Sequence, residues 1–422
     1  MLALDSFKRD LPPLCRIQQK LRRDHIPDVR AETREKILAA GLKNKITPGA
    51  KIAITAGSRG IGGFIDLLNG IVDAVTSAGG KPFLIPAMGS HGGATADGQT
   101  EVLRRLGVTP ENVSAPVHAT METLALGASE SGAVAHLDRI AADADGIIVF
   151  GRVKTHPENA EGVASGLLKM TAVGLGKQSG AQQAHSHGLW KSVEAVPKIT
   201  FAKAKIILGV AVVESAFRQP VHIEIIPGNY EAFLDADKRL LKVAAPHVAK
   251  IPFQKLDLLI VDELGKTISG TGMDLNVIGD WRLKGGARQP DFFRIVALSL
   301  TRGSLGNGLG IGLADFTTQR FARDFDFDAT YANLLTATEP GAMNTNEGRL
   351  PLALSSDREA IGVALQSSLA NNRPRVCRIK NTAALDEFFV SEALLDDVNA
   401  NSQLSILENA RPLSFDPSGN LF

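Results

Sequence analysis

Short apolar runs recur through the first half of the chain, and each ends in a turn or a loop. KIAITA at 51–56 leads into GSRGIGG and then into the amphipathic stretch FIDLLNGIVDAVTSAG. KPFLIPA at 81–87 leads into GSHGGATADG and the helical pattern TEVLRRLG, and GIIVF at 146–150 is a third run. Such runs bounded by turn residues are typical of buried strands, and the amphipathic stretches are typical of helices. The alternation predicts βαβ units and a mostly parallel sheet.

The second half of the chain repeats the pattern on a smaller scale. Its strands are predicted at 294–300 and 374–380, and its helices at Thr317–Arg323, Thr330–Ala337 and Asp357–Ala370. Before it, further strands are predicted at 205–215 and 256–265, and a charged helical lead-in at Pro27–Leu42 precedes the first strand. The stretch TISGTGMDLNVIGDW after 265 is loop-like, so we place a domain boundary near 250–270. We therefore predict an α/β protein with a larger N-terminal domain over 1–255 and a smaller C-terminal α/β domain over 270–385.

Composition narrows the class of protein and of partner. The chain has 422 residues, 44% apolar and 22% charged, which is ordinary for a globular protein. Its 46 basic and 45 acidic side chains give a formal charge of +1, so we expect neither nucleic acid nor an anionic membrane as a partner. The two cysteines, Cys15 and Cys377, argue against a disulfide framework. With no signal-peptide core and no long apolar run, we expect a cytoplasmic protein that acts on a small molecule.

Charged and imidazole side chains follow the first three predicted strands. Arg59, His91 and His156 lie in the loops at the carboxyl ends of those strands, where ligands bind in open α/β sheets. The glycines of GSRGIGG are misplaced for a dinucleotide fingerprint, so a standard NAD site is disfavoured. The loop is either a plain strand-to-helix turn or an anion loop. Arg59 favours the anion loop, because a planar cation at a helix start suits a carboxylate or a phosphate.

The two loop histidines could form an acid/base pair. With ordinary pKa values near 6.5, His91 and His156 can each give or take a proton at neutral pH. The alternative is that both are capping or solvated side chains without a catalytic role.

The segment from Lys154 to Gly188 contains two further candidates. His185 and His187 could be ligands of a hydrolase zinc site, although the usual helical H-E-x-x-H spacing is absent. Lys169 has apolar neighbours in SGLLKM and could be a desolvated, nucleophilic amine. A structural lysine whose stem lies along apolar surface is the alternative for that residue.

The order and spacing of these residues resemble the nickel-pincer lactate racemase family. The family motif D-x-S-R-P is matched at 56–60, its G-x-H turn at 89–91, and its H-x-x-x-G-x-S-G-G-x-K run, stretched by three residues, at 156–169. The residues retained in these motifs are Ser58, Arg59, Gly89, His91, His156, Gly162, Ser165, Gly166 and Lys169. His185 follows Lys169 by sixteen residues, the spacing at which the family places its protein ligand to nickel.

The resemblance implies a cofactor and a role for each matched residue. Lys169 would hold a pyridinium-thioamide-thiocarboxylic acid mononucleotide, the nickel-pincer nucleotide, as a covalent thioamide, and His185 would be the protein ligand of its nickel. Ser58, Ser165 and Gly166 would contact the cofactor. His91 and His156 would be the two proton-transfer bases, and Arg59 would steady the substrate carboxylate or the developing oxyanion. Loading would depend on cofactor-biosynthesis proteins.

The resemblance also reaches the second domain. A family loop that contacts substrate corresponds to Asn276–Gly279 here, with Arg282 at the position of a family lysine. Asn276 and Arg282 are therefore predicted substrate contacts, while the altered neighbours indicate a substrate other than lactate. By the same resemblance, the tail 395–422 is expected to complete the N-terminal domain.

These inferences combine into a hypothesis with two rivals. We predict a racemase or epimerase of a 2-hydroxy acid whose active site lies in a cleft between the two domains. One rival is a zinc hydrolase built on His185 and His187. The other is a non-catalytic protein that binds a small ligand in the same cleft.

Overall fold

The computed structural model of the chain describes residues 11–58, 60–154, 163, 165–336, 345–368 and 372–422. It divides into two compact units. Among the described residues, the N-terminal unit is Arg22–Val248, and the C-terminal unit combines 11–21 with the residues from Ala249 onward. The boundary therefore lies just before the predicted interval of 250–270. The predicted domain of 1–255 differs from the N-terminal unit at its start, because the chain before Arg22 belongs to the other unit.

Strands and helices alternate along the described residues much as the apolar pattern predicts. The strands are β1 (Leu14–Gln19), β2 (Lys51–Ala56), β3 (Lys81–Pro86), β4 (Thr123–Ala128), β5 (Val134–Asp138), β6 (Gly146–Arg152), β7 (Ile206–Glu214), β8 (Pro220–Pro227), β9 (Lys255–Leu264), β10 (Asp291–Leu300), β11 (Phe316–Thr318), β12 (Leu352–Leu354), β13 (Val376–Ile379), β14 (Glu387–Ser391) and β15 (Leu404–Arg411). The helices are α1 (Val29–Ala39), α2 (Phe64–Ser77), α3 (Ala96–Arg105), α4 (Arg139–Ala142), α5 (Leu167–Lys169), α6 (Lys177–Ser186), α7 (Leu189–Lys203), α8 (Tyr230–Ala244), α9 (Leu275–Ile278), α10 (Trp281–Lys284), α11 (Gln319–Asp324), α12 (Phe327–Thr336), α13 (Asp357–Gln366) and α14 (Leu395–Ala400). None of these helices combines the length and apolar character that crossing a bilayer requires.

The N-terminal unit is built on a five-stranded sheet in the order β3-β2-β6-β7-β8. Its first four strands are parallel, and β8 pairs antiparallel with β7. The predicted mostly parallel sheet is confirmed. A separate hairpin of β4 and β5, which the sequence pattern did not predict, lies in the chain between β3 and β6.

Side chains on both faces of this sheet are buried, as a parallel sheet covered by helices requires. Ile52 and Ile54 of β2 belong to an apolar cluster with Leu67 and Ile71 of α2. Ala53, between them, points to the other face and belongs to a second cluster, which includes side chains of α5, α7 and α8. The helices that surround the candidate site are thereby fixed to one face of the sheet.

The C-terminal unit contains an eight-stranded mixed sheet in the order β12-β11-β10-β9-β13-β14-β1-β15. In this order, the five strands β12, β11, β10, β9 and β13 are parallel to one another. The next three strands, β14, β1 and β15, each pair antiparallel with the strand before them. The predicted α/β character of this half is confirmed.

The C-terminal tail lies elsewhere than expected. The family resemblance predicts that residues 395–422 complete the N-terminal domain, but β15 pairs with β1 in the sheet of the C-terminal unit. Beyond β15, Phe415 and Leu421 pack against a core cluster of that same unit. The expectation was wrong because β15 forms its backbone hydrogen bonds with β1. Most of the chain separates these two strands, so the local sequence does not show that they pair.

Candidate active site

The loops that follow β2, β3 and β6 leave the same edge of the five-stranded sheet. Ala56 at the end of β2 pairs with Pro86 at the end of β3, and Ile54 pairs with Ile148 in β6. Ser58 and His91 therefore follow neighbouring strands at their carboxyl ends, as predicted. Arg59 lies outside the described residues, between Ser58 and Gly60, so its role stays a prediction.

A backbone bridge joins the two ends of the loop that follows β6. Lys154 and Ser165 form an antiparallel bridge in which the Lys154 N–H donates to the Ser165 carbonyl at 2.8 Å. His156 lies between them but outside the described residues, and its role likewise stays a prediction. The bridge brings Ser165 and Gly166 back to the end of β6, where the predicted cofactor contacts begin.

The segment after Gly166 contains an unusual helical turn directly under these loops. Helix α5 continues into a π-helical turn at Met170–Gly174, a feature that is often found at functional sites. A Cβ added at Gly57 would lie 3.3 Å from Met170 Cε, and one added at Gly89 would lie 3.2 Å from Val173 Cγ1. The backbones after β2 and β3 therefore rest on this turn, and glycine is what permits the close approach. The structure thus brings the Lys169 segment to the same sheet edge as Ser58 and His91.

Lys169 is the last residue of α5 and is half-buried. Its Nζ lies 5.0 Å from the centroid of the Trp190 ring of α7, within the range of a cation–π interaction. The aromatic ring confines the lysine to one side of the helical turn.

A buried carboxylate from α8 fixes the start of α5. Both Asp237 oxygens accept backbone hydrogen bonds, from the N–H groups of Leu167 and Leu168, at 2.9 Å each. Gly166 makes room for it, since a Cβ there would lie 2.6 Å from Asp237 Oδ2. Asp237 is 1% exposed, and burial raises its pKa to about 6, although the two backbone N–H groups oppose this. The predicted cofactor residue Gly166 therefore has a structural reason for being glycine.

His185 and His187 occupy different surroundings at the end of α6. His185 is half-buried, while His187 is exposed, with its Nδ1 3.0 Å from the Gln183 carbonyl oxygen and its ring against Gly132 of the β4–β5 turn. Across the described part of the chain, no group of three or more His, Cys, Asp or Glu side chains is arranged to hold a metal ion. The zinc-hydrolase interpretation therefore has no ligand cluster there.

His91 lies in a tight turn whose backbone is held from within the protein. The side chain is exposed, and its residue precedes a 3-10 turn at Gly92–Ala94. The buried Gln99 side chain of α3 donates through Nε2 to the Gly89 carbonyl at 2.8 Å and to the His91 carbonyl at 3.2 Å. The turn presents the imidazole outward while Gln99 anchors the backbone below it.

Glu214 at the end of β7 connects two of the site loops. Its Oε1 accepts the Gly62 N–H at 2.6 Å, and its Oε2 accepts Nη1 of Arg152, the last residue of β6, at 2.5 Å. The carboxylate is 6% exposed. It ties the loop that includes Ser58 to the strand that leads toward His156.

The two predicted substrate residues of the C-terminal unit make contacts within that unit. The Asn276 amide donates to Asp274 Oδ1 at 2.9 Å. The Arg282 side chain is only 8% exposed; its Nη1 donates to the Leu313 carbonyl at 3.0 Å and pairs with Asp315 Oδ2 at 3.2 Å. Its Nη2 donates to the Phe292 carbonyl at 2.5 Å. Arg282 is thus engaged by protein acceptors, and a substrate role for either residue stays a prediction.

Sequence reasoning did not assign a role to the buried residues that hold the site. These are Gln99, Asp138, Lys177, Glu214 and Asp237. Except for Gln99, which contacts the turn eight to ten residues before it, each contacts a segment far away in the chain, so local spacing could not have indicated it.

Several solved structures resemble this fold, including two over most of the chain. One is the crystal structure of a protein from Thermotoga maritima, with 13% sequence identity and a TM-score of 0.51 over 84% of this chain and 97% of that one. The other is the lactate racemase apoprotein from Thermoanaerobacterium thermosaccharolyticum, with 12% identity and a TM-score of 0.48 over 88% of this chain and 99% of that one. No protein-family model and no curated protein matches the chain. The likeness to the Thermotoga protein shows a shared α/β fold, here with a candidate site at the carboxyl edge of a parallel sheet.

Proposed function

We propose that the chain is an isomerase, a racemase or epimerase of a 2-hydroxy carboxylic acid, that works with a lysine-tethered nickel-pincer nucleotide. One observation supports this most strongly: the helical segment that includes Lys169 lies beneath the strand-end turns of Ser58 and His91. The described parts of three sequence segments that resemble motifs of the lactate racemase family thus lie at the carboxyl end of one sheet.

The residues present fit such a group. A metal held only by protein side chains would need a cluster of ligands, and the described residues contain none. A nucleotide that brings its own sulfur and carbon donors needs only one amine for attachment and one imidazole for the metal. Lys169 and His185 would supply these, and Ser58, Ser165 and Gly166 would contact the nucleotide. When bound, the group would supply nickel and a ring that accepts and returns a hydride.

The protein's own task is to hold the acid and to move its hydroxyl proton. Arg59 would bind the substrate carboxylate through its planar guanidinium. Removing hydrogen from Cα and from the hydroxyl leaves a planar 2-keto acid, which can be reduced from either face. One base is needed for each enantiomer, and His91 and His156 would each take the proton from the hydroxyl oxygen or return it there.

The cofactor and the reaction can be tested separately. The protein is produced with nickel and cofactor-biosynthesis proteins, and its intact mass is measured. We expect added mass that disappears in Lys169→Ala and persists in the control Lys191→Ala, whose exposed lysine lies in α7. Fully active protein with an unmodified Lys169 would refute the proposal.

The reaction is assayed on a panel of single-enantiomer 2-hydroxy acids by following optical purity. We expect one acid to be interconverted with little solvent deuterium at Cα, because the hydride stays within the site. His91→Ala and His156→Ala should keep the added mass and lose turnover. Ligand binding with loaded cofactor but no interconversion of any acid would instead identify a non-catalytic binding protein.

A further inference from the structure

A buried lysine connects the His91 turn to the helix that includes His185. Lys177 is 0% exposed and is the first residue of α6. Its Nζ lies 2.9 Å from Asp138 Oδ2, donates to Gln99 Oε1 at 3.3 Å, and donates to the carbonyl of Pro86, the last residue of β3. One ammonium group thus contacts the ends of two strands and the middle of α3.

This ammonium also determines how the Gln99 amide is oriented. Lysine has donors and no acceptor, so the oxygen of the Gln99 amide must face Lys177. The amide nitrogen then faces the opposite way, toward the Gly89 and His91 carbonyls that it contacts. Without the ammonium, either orientation of the amide would leave a buried group badly matched.

Two features of Lys177, its buried charge and its backbone conformation, destabilise the folded protein. Its charge is buried, with burial lowering its pKa and Asp138 acting in the opposite direction. Its backbone has a φ of +53°, the left-handed region that side chains rarely adopt. Backbone strain of this kind persists where the surroundings over-determine it, and it is concentrated at functional sites.

Asp138, the carboxylate that pairs with Lys177, is buried and forms hydrogen bonds of its own. Asp138 is 0% exposed, its Oδ1 caps α4 by accepting the Ala141 N–H at 3.0 Å, and its own N–H donates to the Leu175 carbonyl at 2.7 Å. Leu175 directly follows the π-helical turn. The ion pair is therefore anchored to the segment that joins Lys169 to α6.

We propose that Asp138, Lys177 and Gln99 form a positioning network that fixes the His91 turn to the start of the His185 helix. Gln99 holds the turn, and Lys177 holds both Gln99 and the helix start. The roles of His91 and His185 rest on the function proposed above, whereas the mechanical link between the two segments does not. All three network residues are 0% exposed, so we assign them a positioning role and no contact with the reacting atoms.

Substitutions in the network should affect the His91 turn and the His185 helix differently. Hydrogen–deuterium exchange can measure the two segments separately. Gln99→Leu should raise amide exchange at 88–95 about tenfold or more and leave 177–187 unchanged, because only the turn loses its anchor. Lys177→Met should raise exchange in both segments. Gln182→Leu and Lys191→Met replace exposed residues of the same types and should change neither segment.

A second variant keeps the test decisive if Lys177→Met does not fold. The double variant Lys177→Met, Asp138→Asn removes both buried charges, and the asparagine oxygen can still cap α4. It should also loosen both segments while exchange in β6 stays at the wild-type level. Uniform loosening of the N-terminal unit, or failure of both variants to fold, would overturn the proposal, because the pair would then stabilise the whole unit.

The exchange result stands whether or not the protein is a racemase. If the wild type interconverts a 2-hydroxy acid, Gln99→Leu should lower kcat at least tenfold with intact cofactor mass, and Gln99→Glu, which keeps an oxygen facing Lys177, should not restore it. An inactive wild type would refute the proposed function alone. Wild-type exchange at 88–95 in Gln99→Leu would refute the network alone.

Discussion

The carboxylate that starts the Lys169 helix makes the stability of the N-terminal unit depend on pH. Asp237 is 1% exposed, and its pKa is about 6 in the fold against an ordinary value of 3.8. Between these values the folded protein holds a proton that the unfolded chain has released. Stability from this group is therefore fully present below pH 3.8 and is lost as the pH rises through 6.

The size of the effect follows from the two pKa values. At 1.36 kcal/mol per pKa unit, they correspond to about 3 kcal/mol, of which about 2 kcal/mol falls between pH 4.5 and 7.5. Asp237→Asn does not titrate, and its oxygen can accept only one of the two backbone N–H groups. The lost hydrogen bond adds a constant cost of about 1 kcal/mol at every pH. The difference in unfolding free energy, wild type minus variant, should therefore fall by about 2 kcal/mol across this range.

The two tryptophans permit the measurement in one unit at a time. Trp190 lies in the N-terminal unit and Trp281 in the C-terminal unit, so urea unfolding is followed by Trp190 fluorescence in a Trp281→Phe background. Asp235→Asn is the control, since that carboxylate lies on the same helix with 75% of its side chain exposed. A wild-type minus Asp237→Asn difference that stays constant with pH, or that rises, would refute the reasoning.

Three further predictions concern packing. Gly166→Ala should cost about 1–3 kcal/mol in thermal unfolding of the N-terminal unit, because the new Cβ meets the Asp237 carboxylate; an unchanged Tm would contradict the close approach. Deleting 412–422 should cost about 2–5 kcal/mol in the unfolding transition reported by Trp281, by removing the apolar contacts of the tail; a loss confined to the other unit would show that the tail packs elsewhere. Arg282→Met should cost about 3–5 kcal/mol in that same transition because it leaves buried acceptors unpaired, and a neutral result would leave the arginine available for substrate.

The apolar pattern predicted the central parallel strands of both sheets. The runs at 51–56, 81–87 and 146–150 correspond to β2, β3 and β6, since a short apolar run between turn residues has few other ways to bury its side chains. The parallel order that the βαβ pattern predicts is enough to place Ser58 and His91 at one sheet edge. Strand β1 and the edge strand β15 were missed because their pairing depends on a partner distant in the chain.

The sequence by itself determined which residues could do chemistry and at which ends of which strands they lie, because strand direction and turn position are local properties. Only the tertiary structure decided that the π-helical turn after Lys169 packs against the backbones that follow β2 and β3, and that Asp237, Gln99 and Lys177 hold the segments in place. Such contacts depend on which buried groups find partners across the core. Desolvation makes an unpaired group costly there, and spacing along the chain does not show which partner it finds.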